Sequence, residues 1–469
     1  MKIRSLIGNL FIAFFAQGVS FLASAIMSLL LPKVLDVEQF GYWQLFLFYA
    51  NYVGFAHLGI NDGIYLLNGG IRRNDVDKRS IKSQFSCSVI YQTVMAILII
   101  LFACCIDIDA NRRNVIICTA IFMVIQNSAS FLGYLFQAMN ETKKYSYSVI
   151  INKVVFIASL LCLLIFHSKQ YYYVVAIYML ATSISLLYCL YNAKEIIVCG
   201  LNKFRDTVKD CIKSINVGYK LMFANVSDMC ILGIAQYLID ERWGISVFAR
   251  LSLAISLVNF FITFMTQTSM VLFPALRQED LNNRLKFYTR SRDALSLITP
   301  IVYVFYAPIV YILSLWLPNY RESFMFFAYL LPICVFNIKM DICCTTYFKV
   351  FRYEKQLLII NVIAVILCAV ISLIPAFQFH SLIGVIAAPV IVIVLRSLCA
   401  ELYLNRMFHV HTSFLSLSNV IISMLFVFVY NSCSLMSTFI FMCVIFLIFL
   451  VIHYKTIIQL YHSFISAVE

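Results

Sequence analysis

Nine ionisable side chains lie inside stretches that are otherwise apolar: His57, Asp62, Lys153, Lys220, Asp228, Arg250, Lys339, Asp341 and Arg396. Were those stretches to cross a bilayer, a charge at its centre would cost about 3 kcal/mol or more, so each is a candidate for function. His57, Asp228, Lys339, Asp341 and Arg396 are the deepest. Lys153, Lys220, Arg250 and Asp62 fall nearer the ends of their runs, where snorkelling gives a structural explanation equal weight. Around 340, helical spacing puts Asn337, Asp341 and Thr345 on one face and Lys339 about half a turn away. If Asp341 faces a cavity, Lys339 contacts another helix, and the reverse holds equally. The chemistry on offer is charge and hydrogen bonding rather than bond making. The chain has no G-x-x-x-x-G-K-[ST] run to cradle nucleotide phosphates, no H-E-x-x-H and no G-x-S-x-G. Direct use of ATP is excluded on that ground, and the protein reads as no enzyme.

Uncharged polar residues recur at helical spacing in the same stretches. Gln17, Ser20, Ser24 and Ser28 align in one, Gln126, Ser130, Gly133 and Gln137 in another, and Ser252, Ser256, Asn259, Thr263 and Thr266 in a third. Small residues let helices pack closely, worth about 1 kcal/mol per contact or less, and that reading competes evenly for the Ser, Thr and Gly members. Gln126, Gln137 and Asn259 read instead as the lining of a hydrated cavity.

These residues need a membrane-spanning frame, and composition supplies one. Of 469 residues, 62% are hydrophobic and 12% charged, with a mean hydropathy of +0.91; no water-soluble core hides so much apolar surface. A spanning helix takes about 20 apolar residues, and that ruler predicts about fourteen spans, with boundaries good to a few residues. They cover 9–31, 40–67, 84–106, 115–139, 145–166, 172–193, 217–239, 245–276, 294–317, 323–348, 357–377, 382–404, 414–430 and 435–454. The first is too long for a signal-peptide core and reads as a retained span. Lys and Arg number about 6 in the turns leaving odd-numbered spans and about 24 on the other side, which predicts cytoplasmic N- and C-termini. The net charge of +13 is thereby explained by loops that orient the chain, not by nucleic-acid binding. The sixteen cysteines sit mostly within apolar runs and without ligand spacing, so they read as small packing residues. All outer loops are short, leaving no room for an extramembrane catalytic domain.

The longest basic connection, 195–216, follows six spans and carries apolar residues at amphipathic spacing; it predicts a surface-lying linker between two halves. The expected organisation is an N-terminal six-helix lobe at 1–194, that linker, a C-terminal six-helix lobe at 217–404, and two additional helices at 405–469. Each half starts with a span, a turn containing acidic residues (Asp36 and Glu38; Asp240 and Glu241) and a long second span. Such repeats would run in the same direction about an axis along the membrane normal, around a central cavity.

Several segments carry a family likeness: Leu31-Pro32, Phe40-Gly41-Tyr42-Trp43-Gln44, His57 to Gly63, Gly218-Tyr219-Lys220-Leu221-Met222, Leu272-Phe273-Pro274-Ala275-Leu276, and Tyr347-Phe348-Lys349 followed by Arg352, Glu354 and Lys355. Their order and spacing resemble bacterial polysaccharide flippases, the O-antigen and capsule unit translocases of the multidrug, oligosaccharidyl-lipid and polysaccharide exporter superfamily. The resemblance implies an all-α, two-lobed bundle in the inner membrane. That bundle would move an undecaprenyl-diphosphate-linked oligosaccharide from the cytoplasmic to the periplasmic leaflet by alternating access. Lys220, Arg250, Lys339 and Arg396, with Lys153, would then attract the diphosphate or acidic sugars, and Gln126, Gln137 and Asn259 would meet sugar hydroxyls. His57, Asp62, Asp228 and Asp341 would be ion-coupling groups or partners of the cations. No cofactor is implied beyond a coupling ion, H+ or Na+; a polymerase and a chain-length regulator are the implied protein partners. The competing readings are a small-molecule drug exporter of the same superfamily, which should have a net acidic cavity, and a membrane polysaccharide polymerase, which should carry a long catalytic outer loop. Five cations against Asp62, Asp228 and Asp341 favour an anionic load on this count.

Overall fold

The computed structural model describes residues 3–165, 169–278, 281–411 and 414–460. Side chains of 264–283 lie outside the described set, as does that of Glu354, so Thr266 and the motif at 272–276 have no structural account. Among the described residues the regular structure is helical. Twelve helices are long and apolar enough to cross a membrane, or thirteen if a pair bent by 45° (Pro318–Leu330 and Pro332–Val350) is taken as one. The remaining expected span, 40–67, is interrupted and is described below. The chain divides into two compact units, Met1–Val226 and Ser227–Glu469.

The first unit consists of α1 (Ile3–Leu29), the short α2 (Leu31–Val34), α3 (Val37–Tyr52), a 3-10 turn at Val53–His57, α4 (Ile60–Leu67), α5 (Lys78–Cys105), α6 (Ala110–Ala138), α7 (Thr142–Ile165), α8 (Tyr171–Asn192), the short α9 (Lys194–Ile197) and the first part of α10 (Phe204–Trp243). Helix starts follow capping chemistry: Asp36 accepts from the Gln39 N–H at 2.8 Å, and Asp77 and Asp109 cap α5 and α6 in the same way. Turns separate into two ends as alternating spans require. At one end Tyr42 donates to Asp109 at 2.9 Å and the Tyr171 N–H to Gln39 at 3.0 Å. At the other, Arg73 grips Glu141 through Nε at 2.7 Å and Nη2 at 2.5 Å and donates to the Asn192 carbonyl. Burial alone would raise the Glu141 carboxyl, but hydrogen bonds and charge from Arg73 and Lys144 hold it below its usual range.

Residues 204–216 correct the expected linker. They form the opening turns of α10, a single helix of 40 residues about 60 Å long, with Thr207, Cys211 and Ser214 buried while Phe204 and Ile212 stay exposed. Ser214 is fully buried and donates to Gln84 at 2.7 Å, while Ser80 donates to Asp210 at 2.6 Å. The division between the units accordingly falls within α10, not at 195–216.

The second unit continues α10 and adds α11 (Ile245–Gln278), α12 (Leu281–Ile298), α13 (Ile301–Trp316), α14 (Arg321–Leu330), α15 (Pro332–Lys339), a π-helical segment at Met340–Thr345, α16 (Thr346–Val350), α17 (Glu354–Phe377), α18 (Leu382–Met407), α19 (Phe414–Ser432) and α20 (Leu435–Ile452). The two final helices pack within this unit. Tyr303 of α13 shares a 2.6 Å hydrogen bond with Ser423 of α19 and stacks on Phe426 at 4.8 Å. The two units also begin differently: α11 is unbroken over 34 residues, whereas the corresponding span of the first unit is in pieces.

Candidate functional site

In the first unit the site is the break in the second span. Leu58 at φ 52° and Gly59 at φ 86° both take the left-handed conformation, which ends one helical run and starts another. A break at membrane depth is tolerated only where the freed backbone groups find partners, and here α6 supplies them. Asn127 Nδ2 donates to the Val53 carbonyl at 2.8 Å, and Asn61 Nδ2 donates to the Asn127 carbonyl at 3.1 Å. The Gly59 N–H donates to His57 Nδ1 at 3.0 Å, and His57 Nε2 lies 3.8 Å from Asp62 Oδ2. His57, Asn61 and Asp62 are all buried. The same turn touches α10 backbone to backbone: a Cβ built on Gly218 would stand 2.1 Å from the Gly59 carbonyl oxygen and 2.4 Å from the Gly63 nitrogen. Two segments that carried the family likeness, 57–63 and 218–222, thus meet at a glycine crossing.

The remaining predicted residues of this unit do not converge on the break. Lys153 is half-buried with its Nζ 5.9 Å from the centre of the Tyr178 ring. Lys220 is exposed beside Tyr219 at the same distance. Gln126 is half-buried and donates to Ser130 at 3.3 Å within its own helix; Gln137 is half-buried near the end of α6.

In the second unit two polar clusters lie along α18. Arg396, only 4% exposed, donates from Nη1 to Asp228 of α10 and from Nη2 to Asn337 of α15 at 2.8 Å. Asp341, in the π-helical segment, interacts electrostatically with both Asp228 and Arg396. Asp228 keeps half of its side chain exposed while Arg396 shows 1%. The second cluster holds Lys339, whose Nζ lies 2.6 Å from Glu401 Oε2 and donates to Ser416 at 2.6 Å; Ser416 in turn donates to Glu401 at 2.8 Å. Arg292 approaches Glu401 at 3.8 Å, pairs with Asp293 at 2.9 Å and donates to Asn405 at 3.0 Å. Arg250 joins neither cluster; it pairs with Glu322 at 2.6 Å near the N-terminal ends of α11 and α14. Asn259 is exposed on α11.

Asp341 and Lys339 therefore belong to different clusters. Sequence reasoning missed Glu401, Arg292, Asp293 and Ser416 as members, and Glu322 as the partner of Arg250. Glu401 was findable, since it lies within the span predicted at 382–404. Counting Glu322 and Glu401 removes the excess of cations: each of Arg250, Lys339 and Arg396 has a carboxylate partner. The charge balance by itself no longer argues for an anionic load.

A family model described as a polysaccharide biosynthesis protein matches residues 6–280, more than half of the chain. The chain belongs to this polysaccharide biosynthesis family. Among solved structures it is similar to the lipid II flippase MurJ in an inward closed conformation, with 12% identity, 96% of this chain and 100% of that one covered, and a TM-score of 0.69. An inward-facing multidrug resistance MATE transporter of the MOP superfamily matches at 13% identity, 86% and 98% coverage and a TM-score of 0.60. A MOP superfamily transporter from Pyrococcus furiosus matches at 11% identity, 86% and 94% coverage and a TM-score of 0.53. At such identities the likeness is one of fold, and the polysaccharide biosynthesis family member described here has the fold of these exporters. No curated protein matches it by sequence.

Proposed function

We propose that this protein translocates a polyprenyl-diphosphate-linked oligosaccharide across the bacterial inner membrane, from the cytoplasmic to the periplasmic leaflet, without chemical change to the load. The observation that carries this reading is the match of more than half the chain to a polysaccharide biosynthesis family on a helical frame that carries the exporter fold. The basic turns favour cytoplasmic termini. Arg396 supplies the chemistry for an anionic headgroup. Its planar fork suits phosphate oxygens, and its resident partner Asp228 is the more exposed member of the pair, so a diphosphate oxygen replaces the Asp228 carboxylate during binding. Within the first unit Lys153 and Lys220 are the proposed cations and Gln126 and Gln137 the proposed groups for sugar hydroxyls; within the second, Asn259 has that part. Lys339 and Arg250 serve to hold helices together through Glu401 and Glu322. Transport is driven by an ion gradient, H+ or Na+, or by the load's own gradient, and the load passes to a polymerase and a chain-length regulator.

Deleting the gene tests the reading: lipid-linked units should accumulate in the inner leaflet and surface polysaccharide should disappear. Normal surface polysaccharide in a strain without a redundant transporter overturns it. A second reading, export of cationic small molecules, draws on one observation: Arg396 lies among two carboxylates, Asp228 and Asp341, a net acidic set. Loss of drug tolerance with intact polysaccharide would favour that alternative.

A further inference from the structure

The break in the second span contains a hydrogen bond whose direction depends on one proton. The Gly59 N–H donates to His57 Nδ1 at 3.0 Å, so Nδ1 carries a lone pair and the imidazole proton is on Nε2, the nitrogen 3.8 Å from Asp62. A second proton has only Nδ1 to go to. It would turn the acceptor into a donor, set N–H against N–H at the left-handed turn, and draw the imidazolium toward Asp62. The bond so lost is buried, where an unpaired donor is costly. The turn it closes is also the part of unit 1 against which α10 rests, with Gly59 and Gly63 against Gly218, Tyr219 and Ser214.

We propose that His57 is a protonation-sensitive latch: neutral, it holds the broken span in its left-handed turn and seats the Ser214–Tyr219 stretch of α10; protonated, it releases both. The titratable and charged groups around it are few. Asp62 comes from its own span, Tyr134 of α6 interacts with Asp62, and α10 brings Tyr219 and Lys220 at the crossing. Beyond Lys82 on α5 and Arg113 on α6 neither helix has a charged residue. Asp62 is thus the counter-charge for a buried imidazolium. Histidine is suited to the role because one added proton turns its Nδ1 from an acceptor into a donor. The latch goes beyond the transport reading and its test requires no load.

The test is amide hydrogen exchange on the full chain in lipid nanodiscs between pH 3.5 and pH 8, corrected for the intrinsic pH dependence of exchange, following peptides that cover 53–67 and 212–222. Acidification should raise exchange in both segments by about tenfold, the equivalent of one lost buried hydrogen bond, and leave the aromatic core around Trp43 unchanged. His57→Asn keeps an oxygen near the position of Nδ1 to accept from Gly59 and has no proton to gain, so its exchange should stay at the neutral-pH level throughout. Asp62→Asn should move the transition to lower pH by removing the counter-charge. A flat wild-type profile overturns the proposal, as does an acid response that survives in His57→Asn. Loss of transport in a deletion strain would bear on the proposed load without touching either outcome.

Discussion

Consider the Lys339–Glu401 pair, because its environment sets the size and order of three measurable effects. Both side chains are nearly sealed, at 1% and 3% exposure, and removing one member of such a pair costs about 3–5 kcal/mol by leaving a buried charge alone. The two halves are not equivalent. Without Lys339, Glu401 still has Ser416 at 2.8 Å and Arg292 at 3.8 Å, so Lys339→Met should fall near the lower bound, about 3 kcal/mol. Without Glu401, Lys339 keeps, among the described residues, the Ser416 hydroxyl, so Glu401→Leu should approach about 5 kcal/mol. Arg292 retains Asp293 at 2.9 Å in either case. Replacing both charges by apolar groups of similar volume should return the protein to within about 1 kcal/mol of wild type, since desolvation and attraction are lost together. The assay is the fraction of protein surviving as a monodisperse peak after stepwise heating in detergent. It should rank Glu401→Leu below Lys339→Met and both well below the double variant. Single variants as stable as wild type, or a double variant showing the sum of the single losses, would refute the placement of this pair as a structural tie.

Two further outcomes follow from other parts of the fold. Gly218→Ala puts a methyl group 2.1 Å from the Gly59 carbonyl and should destabilise by about 1–3 kcal/mol through overpacking. Gly18→Ala, where nothing lies within 4 Å, should be neutral or gain about 0.5–1 kcal/mol from helix propensity; equal heating profiles for the two variants would contradict the crossing. At the even-turn end, the lowered Glu141 carboxyl gives a signed pH effect. Stability from the Arg73–Glu141 pair is full above the unfolded value of 4.5 and drains away as pH falls through the lower folded value. Glu141→Gln should therefore lose stability at neutral pH and show a flatter acid limb, read from heat-survival curves between pH 3 and pH 7, and a variant as acid-sensitive as wild type would dismiss the pair as the cause.

Most of the frame was legible in the chain because bilayer thickness fixes span length and hydrophobic runs report it directly. The separation of turns into two ends matches the alternation from which the topology was read, as Arg73, Glu141 and Asn192 meet at one end of the first unit and Tyr42, Asp109 and Tyr171 at the other. What the pattern could not reveal was where a continuous apolar run is mechanically discontinuous. Residues 40–67 read as one long span, and it takes the partnerships of Asn127 with the Val53 carbonyl and of His57 with the Gly59 N–H to explain why a left-handed turn survives inside it. The linker was misread for the converse reason: its residues run without a break into the next span as α10, and amphipathic spacing carries no mark of where one helix ends and another begins. Charges were the least legible. Lys339 and Arg396 stand in single file along the sequence, whereas their meaning depends on Glu401 and Asp228, partners on other helices.

The central claim is that a diphosphate-linked saccharide crosses the bilayer on this protein by exchanging with Asp228 at Arg396. The most direct measurement places polyprenyl-diphosphate-linked oligosaccharide in the inner leaflet of proteoliposomes and follows its capture by an added lectin outside. Wild type and Asp228→Asn should both deliver it, the latter with tighter half-saturation because the competing carboxylate is gone, and Arg396→Ala should deliver none while remaining monodisperse. Delivery by Arg396→Ala at the wild-type rate, or none by wild type across an imposed proton or sodium gradient, would contradict the account.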